Sequence, residues 1–125
     1  DFIARCRKLG KNLAVASSAD WRKVKGNLFE IGLPPETFDV VVAGEDVIHK
    51  KPAPDIFLLA ARKLGLNAAD CLIIEDALSG VQAARAAGGK CLAITSSFTP
   101  DRLPGADFYA PDLAHAPEEA SHWSD

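Results

Sequence analysis

The sequence predicts an α/β protein built on a doubly wound parallel sheet with helices on both faces. Two observations predict it. Short apolar runs recur at residues 13–16, 40–43, 71–74 and 91–94, and amphipathic stretches of helical length separate them. Strands alternating with such helices form βαβ units, whose crossovers leave neighbouring strands parallel. The runs are also continuous, as in strands covered on both faces.

Each element has its own warrant. Phe2, Ile3, Cys6 and Leu9 recur at helical spacing up to Gly10. The run at 13–16 ends in Ser17-Ser18. Asp20 suits an N-cap, and Trp21, Val24, Leu28 and Ile31 give the next helix its apolar stripe. Gly32-Leu33 has the pattern of a Schellman stop, and Pro34-Pro35 prevents continuation. Residues 40–43 are a β-branched run. Residues 52–64 read as a helix with proline in its first turn, Asp55 at its positive end and Gly65-Leu66 as its stop. After the strand at 71–74, a helix over 79–87 stops at Gly88-Gly89. From Thr99 the sequence is Pro-, Asp- and Ala-rich and poorly periodic, with a short strand expected at 107–110 and a frayed tail.

Composition excludes several function classes. Of the 125 residues, 48% are hydrophobic and 25% charged, as in an ordinary globular domain. A net charge of -3 leaves no basic footprint for nucleic acid or an anionic membrane. Trp21 and Trp123 lack the interleaved basic residues of a base-stacking surface. No apolar run approaches a membrane span. The opening residues, Asp1 to Arg5, lack the layout of a secretory leader. Cys6, Cys71 and Cys91 are too few and too scattered for a disulfide or zinc framework, so Cys71 and Cys91 are expected as buried core residues in a reducing cytoplasm. His49, His115 and His122 have no partners at ligand spacing and are expected at the surface. With no methionine and a start inside a helical pattern, the chain is expected to be a piece of a longer polypeptide.

In open parallel sheets, ligands bind beyond the carboxyl ends of the strands. That rule selects Ser17-Ser18, Gly44-Glu45-Asp46, Glu75-Asp76 and Thr95-Ser96-Ser97. Two adjacent acids directly after Leu-Ile-Ile are costly unless a cation or solvent meets them. Mg²⁺ favours one or two carboxylates plus phosphate oxygens. The pair would otherwise cap the following helix. Lys51 stands before Pro52 at a helix start, where its charge conflicts with the dipole unless an anion lies nearby. The alternative is a surface lysine beside Lys50. Ser17 would hold a phosphoryl oxygen or else cap the next helix, and Ser18 is equally able to cap.

Three stretches together resemble the haloacid dehalogenase superfamily, in its β-phosphoglucomutase-like branch: Leu13-Ala-Val-Ala-Ser17-Ser18, Lys51-Pro-Ala-Pro-Asp-Ile-Phe57 and Ile73-Ile-Glu-Asp-Ala-Leu-Ser-Gly-Val-Gln-Ala83. They occur in the family's order across residues 1–97. The resemblance implies a three-layer Rossmann-like core domain, of which residues 1–125 would be the C-terminal part. It implies that Ser17 hydrogen-bonds the transferring phosphoryl group, that Lys51 pairs with that group and the nucleophile, that Asp76 binds Mg²⁺ and that Glu75 acts on the metal or its water shell. Ser18 joins Ser17 and Lys51 as substrate-binding.

The departures are equally specific. The family's first motif, an Asp-x-Asp pair carrying the nucleophile and the general acid/base, occurs nowhere in the chain, and the helical cap that selects substrate is absent. Lys50 replaces a residue that is often small, and Ala77 one that is often Ser or Thr. The family's order places its first strand between 71–74 and 13–16, so the sheet here is expected to be incomplete, with those two runs flanking a gap. The implied function is Mg²⁺-dependent phosphoryl transfer, by a phosphatase or phosphomutase, on a small phosphorylated metabolite such as a sugar phosphate. It would proceed through an aspartyl-phosphate whose nucleophile lies upstream, leaving this chain inactive alone. The rival is a non-catalytic module binding phosphate or protein. An upstream segment or an oligomer contact is the expected partner at the open edge, with no nucleic acid or membrane.

Overall fold

A computed structural model of the chain describes residues 2–33 and 35–123. Asp1 and Pro34, to which the helical start and one of the helix-ending prolines were assigned, lie outside the described residues, as do the last two of the tail. The order is α1 (Phe2–Lys8), β1 (Ala14–Ala16), α2 (Trp21–Glu30), β2 (Val40–Val42), α3 (Asp55–Leu64), β3 (Leu72–Glu75), α4 (Leu78–Ala87), β4 (Lys90–Ile94) and β5 (Phe108–Ala110), joined by loops and short 3₁₀ turns. No helix among the described residues is long and apolar enough to cross a membrane.

All strand pairs are parallel. β1 lies on β2 with Ala14 opposite Val40, and β4 lies between β3 and β5. The four apolar runs thus form two hydrogen-bonded pieces, β1-β2 and β3-β4-β5, with the expected gap between residues 13–16 and 71–74. A cavity of about 380 Å³ occupies that gap. Ala14 and Ala16 wall one side and Leu72 and Ile74 the other, while α3 and α1 line it further. Leu13 and Ser17 bond towards β2, and Cys71 bonds towards β4. By the alternation of a parallel ladder, the backbone groups of Ala14, Ala16, Leu72 and Ile74 face the gap.

Packing explains the continuous apolar runs. In β4, Cys91 and Ala93 face the cluster built by Ile56, Phe57, Val81 and Ala84 of α3 and α4. Leu92 faces the opposite cluster with Phe2, Cys6, Ala110 and Ala120. All three strand residues are fully buried. Burying a side chain such as Leu92 contributes about 1.5–3 kcal/mol. α2 sets Val24 and Leu28 against Ala43, covering β1 and β2 from its own side. Asp20 caps α2 by accepting from Lys23 N at 2.9 Å, and Gly32 (φ 75°) ends it.

Three local expectations are corrected. α3 begins at Asp55 rather than at residue 52, with Pro54 as N-cap. Each proline disfavours the helical region for the residue before it, which excludes Lys51 and Ala53. The tail is laid down in 3₁₀ turns around β5, pinned by buried Leu103, Ala110 and Ala120. Its anchors are single residues, so they leave no periodicity to read. Its end is tied down by Trp123, whose indole N–H donates to Asp70 O at 3.0 Å beneath Lys11. Cys71 is only half-buried, because it precedes β3 at the wall of the gap.

Cys6 and Cys91 are buried, and all three thiols are free. Burial, reinforced by the negative charges of Glu75 and Asp107, pushes the Cys91 thiol from its ordinary 9.0 up to about 12. The fold therefore favours the neutral thiol. The resulting stabilisation is full below pH 9.0 and is lost as pH rises towards about 12. Cys91 is expected to resist thiol–disulfide reagents at pH 8 and to react once urea unfolds the chain. Stoichiometric labelling under native conditions would contradict its placement.

Candidate active site

The selected residues sit at the carboxyl ends of their strands. Ser17 follows β1, and its N–H donates to Val42 O at 2.9 Å, continuing the ladder. Its Oγ accepts from Ala19 N at 3.2 Å. Ser17 therefore closes a turn and leaves its own O–H to donate elsewhere, while Asp20 does the helix capping. Gly44 follows β2 and lies against this turn, donating its N–H to Ala19 O at 2.8 Å. A Cβ there would overlap the Ser18 carbonyl, so only glycine allows the approach. Glu45 accepts from Trp21 N at 2.5 Å, which ties the β2 loop to the start of α2.

Lys51 turns towards Glu75 rather than into solvent. Its Nζ donates to Glu75 Oε1 at 2.5 Å, with the two side chains only 13% and 11% exposed. It also lies 5.0 Å from the Phe57 ring centroid, a cation–π contact. Lys50, its neighbour, turns away and donates to the carbonyls of Gly44 and Val47. The two adjacent lysines thus point to different partners. Asp76 follows β3 and is exposed. The N-cap of α4 is Ala77, with no side-chain hydrogen bond, so Glu75 and Asp76 do not cap that helix. The structure joins Lys51 to Glu75 directly; Ser17 and Asp76 stand at strand ends without a direct bond to either. At the fourth selected place, Thr95 Oγ1 donates to Ala110 O at 3.2 Å and serves the β4–β5 junction.

Among the described residues, no three His, Cys, Asp or Glu side chains gather as a metal cage. Mg²⁺ would need no such cage, since it keeps several waters and takes one or two carboxylates together with phosphate oxygens. Exposed Asp76 fits the role of direct ligand. Glu75 is held by Lys51 and lies over Gly80.

Gly80 is the site residue that sequence reasoning missed. A Cβ there would overlap the Glu75 carboxylate. Its signal was a glycine inside a helical pattern, which costs stability unless close packing requires it. Gly80→Ala is expected to push Glu75 off Lys51 and cost about 1–3 kcal/mol. Gly26→Ala, in open space on α2, is expected to stabilise by about 0.5–1 kcal/mol. Urea unfolding of both variants checks the contrast; equal shifts would refute it.

The chain belongs to the haloacid dehalogenase-like hydrolases, whose family model matches residues 1–88. More particularly, it is 45% identical over 76 residues to fructose-1-phosphate phosphatase YqaB of Escherichia coli, covering 61% of this chain and 40% of that protein. It overlays on CbbY of Rhodobacter sphaeroides, solved with xylulose-(1,5)-bisphosphate, with a TM-score of 0.82 and 35% identity, covering 91% of this chain and 52% of that one. Its fold is also that of β-phosphoglucomutase from Clostridium difficile, with a TM-score of 0.85 and 20% identity over 98% of this chain and 52% of that one. The chain spans about half the length or less of the curated relatives it matches first.

Proposed function

We propose that this chain is the C-terminal part of the core domain of a Mg²⁺-dependent phosphatase or phosphomutase acting on a sugar phosphate. The observation that carries the reading is the part-buried Lys51–Glu75 pair at the carboxyl end of a parallel sheet. A cation there would meet what phosphoryl transfer requires, a positive charge beside the transferring oxygens. Ser17, with its oxygen engaged by Ala19 N, is oriented to donate its O–H to a phosphoryl oxygen. Ser18 adds polar lining beside it. Glu75 orients Lys51, and Asp76 offers a carboxylate to the metal. Mg²⁺ held there would neutralise phosphate oxygen charge. The nucleophile would be an aspartate upstream of this chain, forming an aspartyl-phosphate. YqaB and CbbY, with their sugar phosphates, support the substrate class.

The test is turnover of a sugar-phosphate panel by the longer polypeptide, with and without Mg²⁺. Asp76→Ala in that protein is expected to abolish metal-dependent turnover, a loss of at least about 10²-fold, while leaving the fold intact. Undiminished Mg²⁺-dependent activity in Asp76→Ala would remove Asp76 from the site. Complete inactivity of the unaltered protein would instead favour the non-catalytic phosphate-binding module.

A further inference from the structure

Lys50 sits beside Lys51 but turns its side chain back onto its own loop. We propose that Lys50 is a positioning residue: its ammonium, folded back onto the carbonyls of Gly44 and Val47, clamps the loop of residues 44–50 against the Ser17 turn and so holds Lys51 at Glu75.

The contacts form one connected chain. Gly44 O and Val47 O both accept from Lys50 Nζ, the second at 3.4 Å. Those carbonyls belong to a 3₁₀ turn and its exit, and Gly44 O also accepts from Val47 N at a long 3.5 Å. Gly44 is itself wedged against Ser18, with its N–H on Ala19 O at 2.8 Å. Ala19 N–H in turn donates to Ser17 Oγ at 3.2 Å. At the other end, the residue after Lys50 carries the cation that meets Glu75.

Elsewhere in the loop, Val47 packs against the α3–α4 cluster and Lys50 O accepts from Ala53 N at 2.9 Å. Ile48, His49 and Lys50 are exposed, and Ile48 is 89% so. The two acids in the loop brace only its beginning, Glu45 through Trp21 N and Asp46 through Ala43 N. The Lys50 ammonium adds a side-chain tie from the far end of the loop to its start. A charge-assisted bond suits this task, being stronger than a neutral one. The catalytic meaning rests on the reading of Lys51 as the phosphoryl-pairing lysine; the structural claim is tested without turnover.

The experiment uses NMR on the isotope-labelled 125-residue chain. The Phe57 ring should displace the Lys51 side-chain resonances, which makes them a marker of where Lys51 sits. In Lys50→Met those resonances should move towards unshifted values, and the Gly44 amide should exchange about tenfold faster. Lys50→Arg should retain both signatures, and Lys63→Met, on the exposed face of α3, should change neither. Unchanged Lys51 resonances and Gly44 exchange in Lys50→Met would overturn the proposal. Should Lys50→Met fail to fold, acetylation of the unaltered chain decides. Lys50 must then react more slowly than exposed Lys63, and equal rates overturn the proposal. Absence of turnover in the longer protein with the Lys50 signature intact would strike the phosphatase reading and support this one.

Discussion

The 125-residue chain alone is expected to show no magnesium-dependent phosphatase activity, and adding the upstream segment should raise turnover by at least about 10⁴-fold. The reason is chemical. Ser17, Lys51, Glu75 and Asp76 can hold a phosphoryl group and its metal, but none replaces an aspartate nucleophile. Ser17 Oγ is bonded to a backbone N–H rather than to a base that could activate it. The acid nearest Lys51 is paired with it. What remains is binding and electrostatics, which cannot form the covalent intermediate. The assay compares the purified chain with the chain plus the upstream segment in trans. Robust turnover by the chain alone, surviving repurification, would mean that the nucleophile has been misassigned.

A second large effect is expected in stability. The chain should unfold as a marginal domain and gain about 10 °C in Tm when an apolar strand segment saturates the gap between β1 and β3. Two inner strands present backbone groups at Ala14, Ala16, Leu72 and Ile74 to a cavity of about 380 Å³. Open edges of that kind recruit other strands. A segment present at 100 times its Kd would stabilise by about 2.7 kcal/mol through mass action alone. Thermal melts with the upstream segment and with a scrambled control check this. Equal shifts from both would show that the gap has no sequence-specific occupant. A Tm that rises with protein concentration in the absence of the segment would identify contact between copies as the stabilising route.

The strands were legible because each is a dense apolar run and, in β4, both faces are used: Cys91 and Ala93 on one, Leu92 on the other. The helices were legible from their caps and stripes, down to Asp20 on Lys23 N. The start of α3 was misplaced because proline tolerance in a first turn was weighed ahead of what each proline does to the residue before it. In the tail the short strand expected at 107–110 is found as β5, but the rest was illegible because isolated anchors such as Leu103 and Ala120 have no period. In the site, residue types were legible but connections were not. Sequence could place two lysines side by side. Only three-dimensional placement shows that one closes its own loop while the other meets Glu75. Gly80 carried its reason in a side chain five positions earlier, beyond what helical spacing reveals.

Trp123 gives the gap an optical readout of its own. The indole is one of the walls of the cavity, and its N–H donates to Asp70 O. The other tryptophan, Trp21, is 43% exposed at the start of α2 and lines no part of that cavity. In a Trp21→Phe background, emission would come from Trp123 alone. A strand entering the gap would shift the emission to the blue and shield the ring from iodide, with an amplitude that tracks the fraction of chains filled. Occupancy could then be titrated at micromolar protein, without label and without waiting for catalysis.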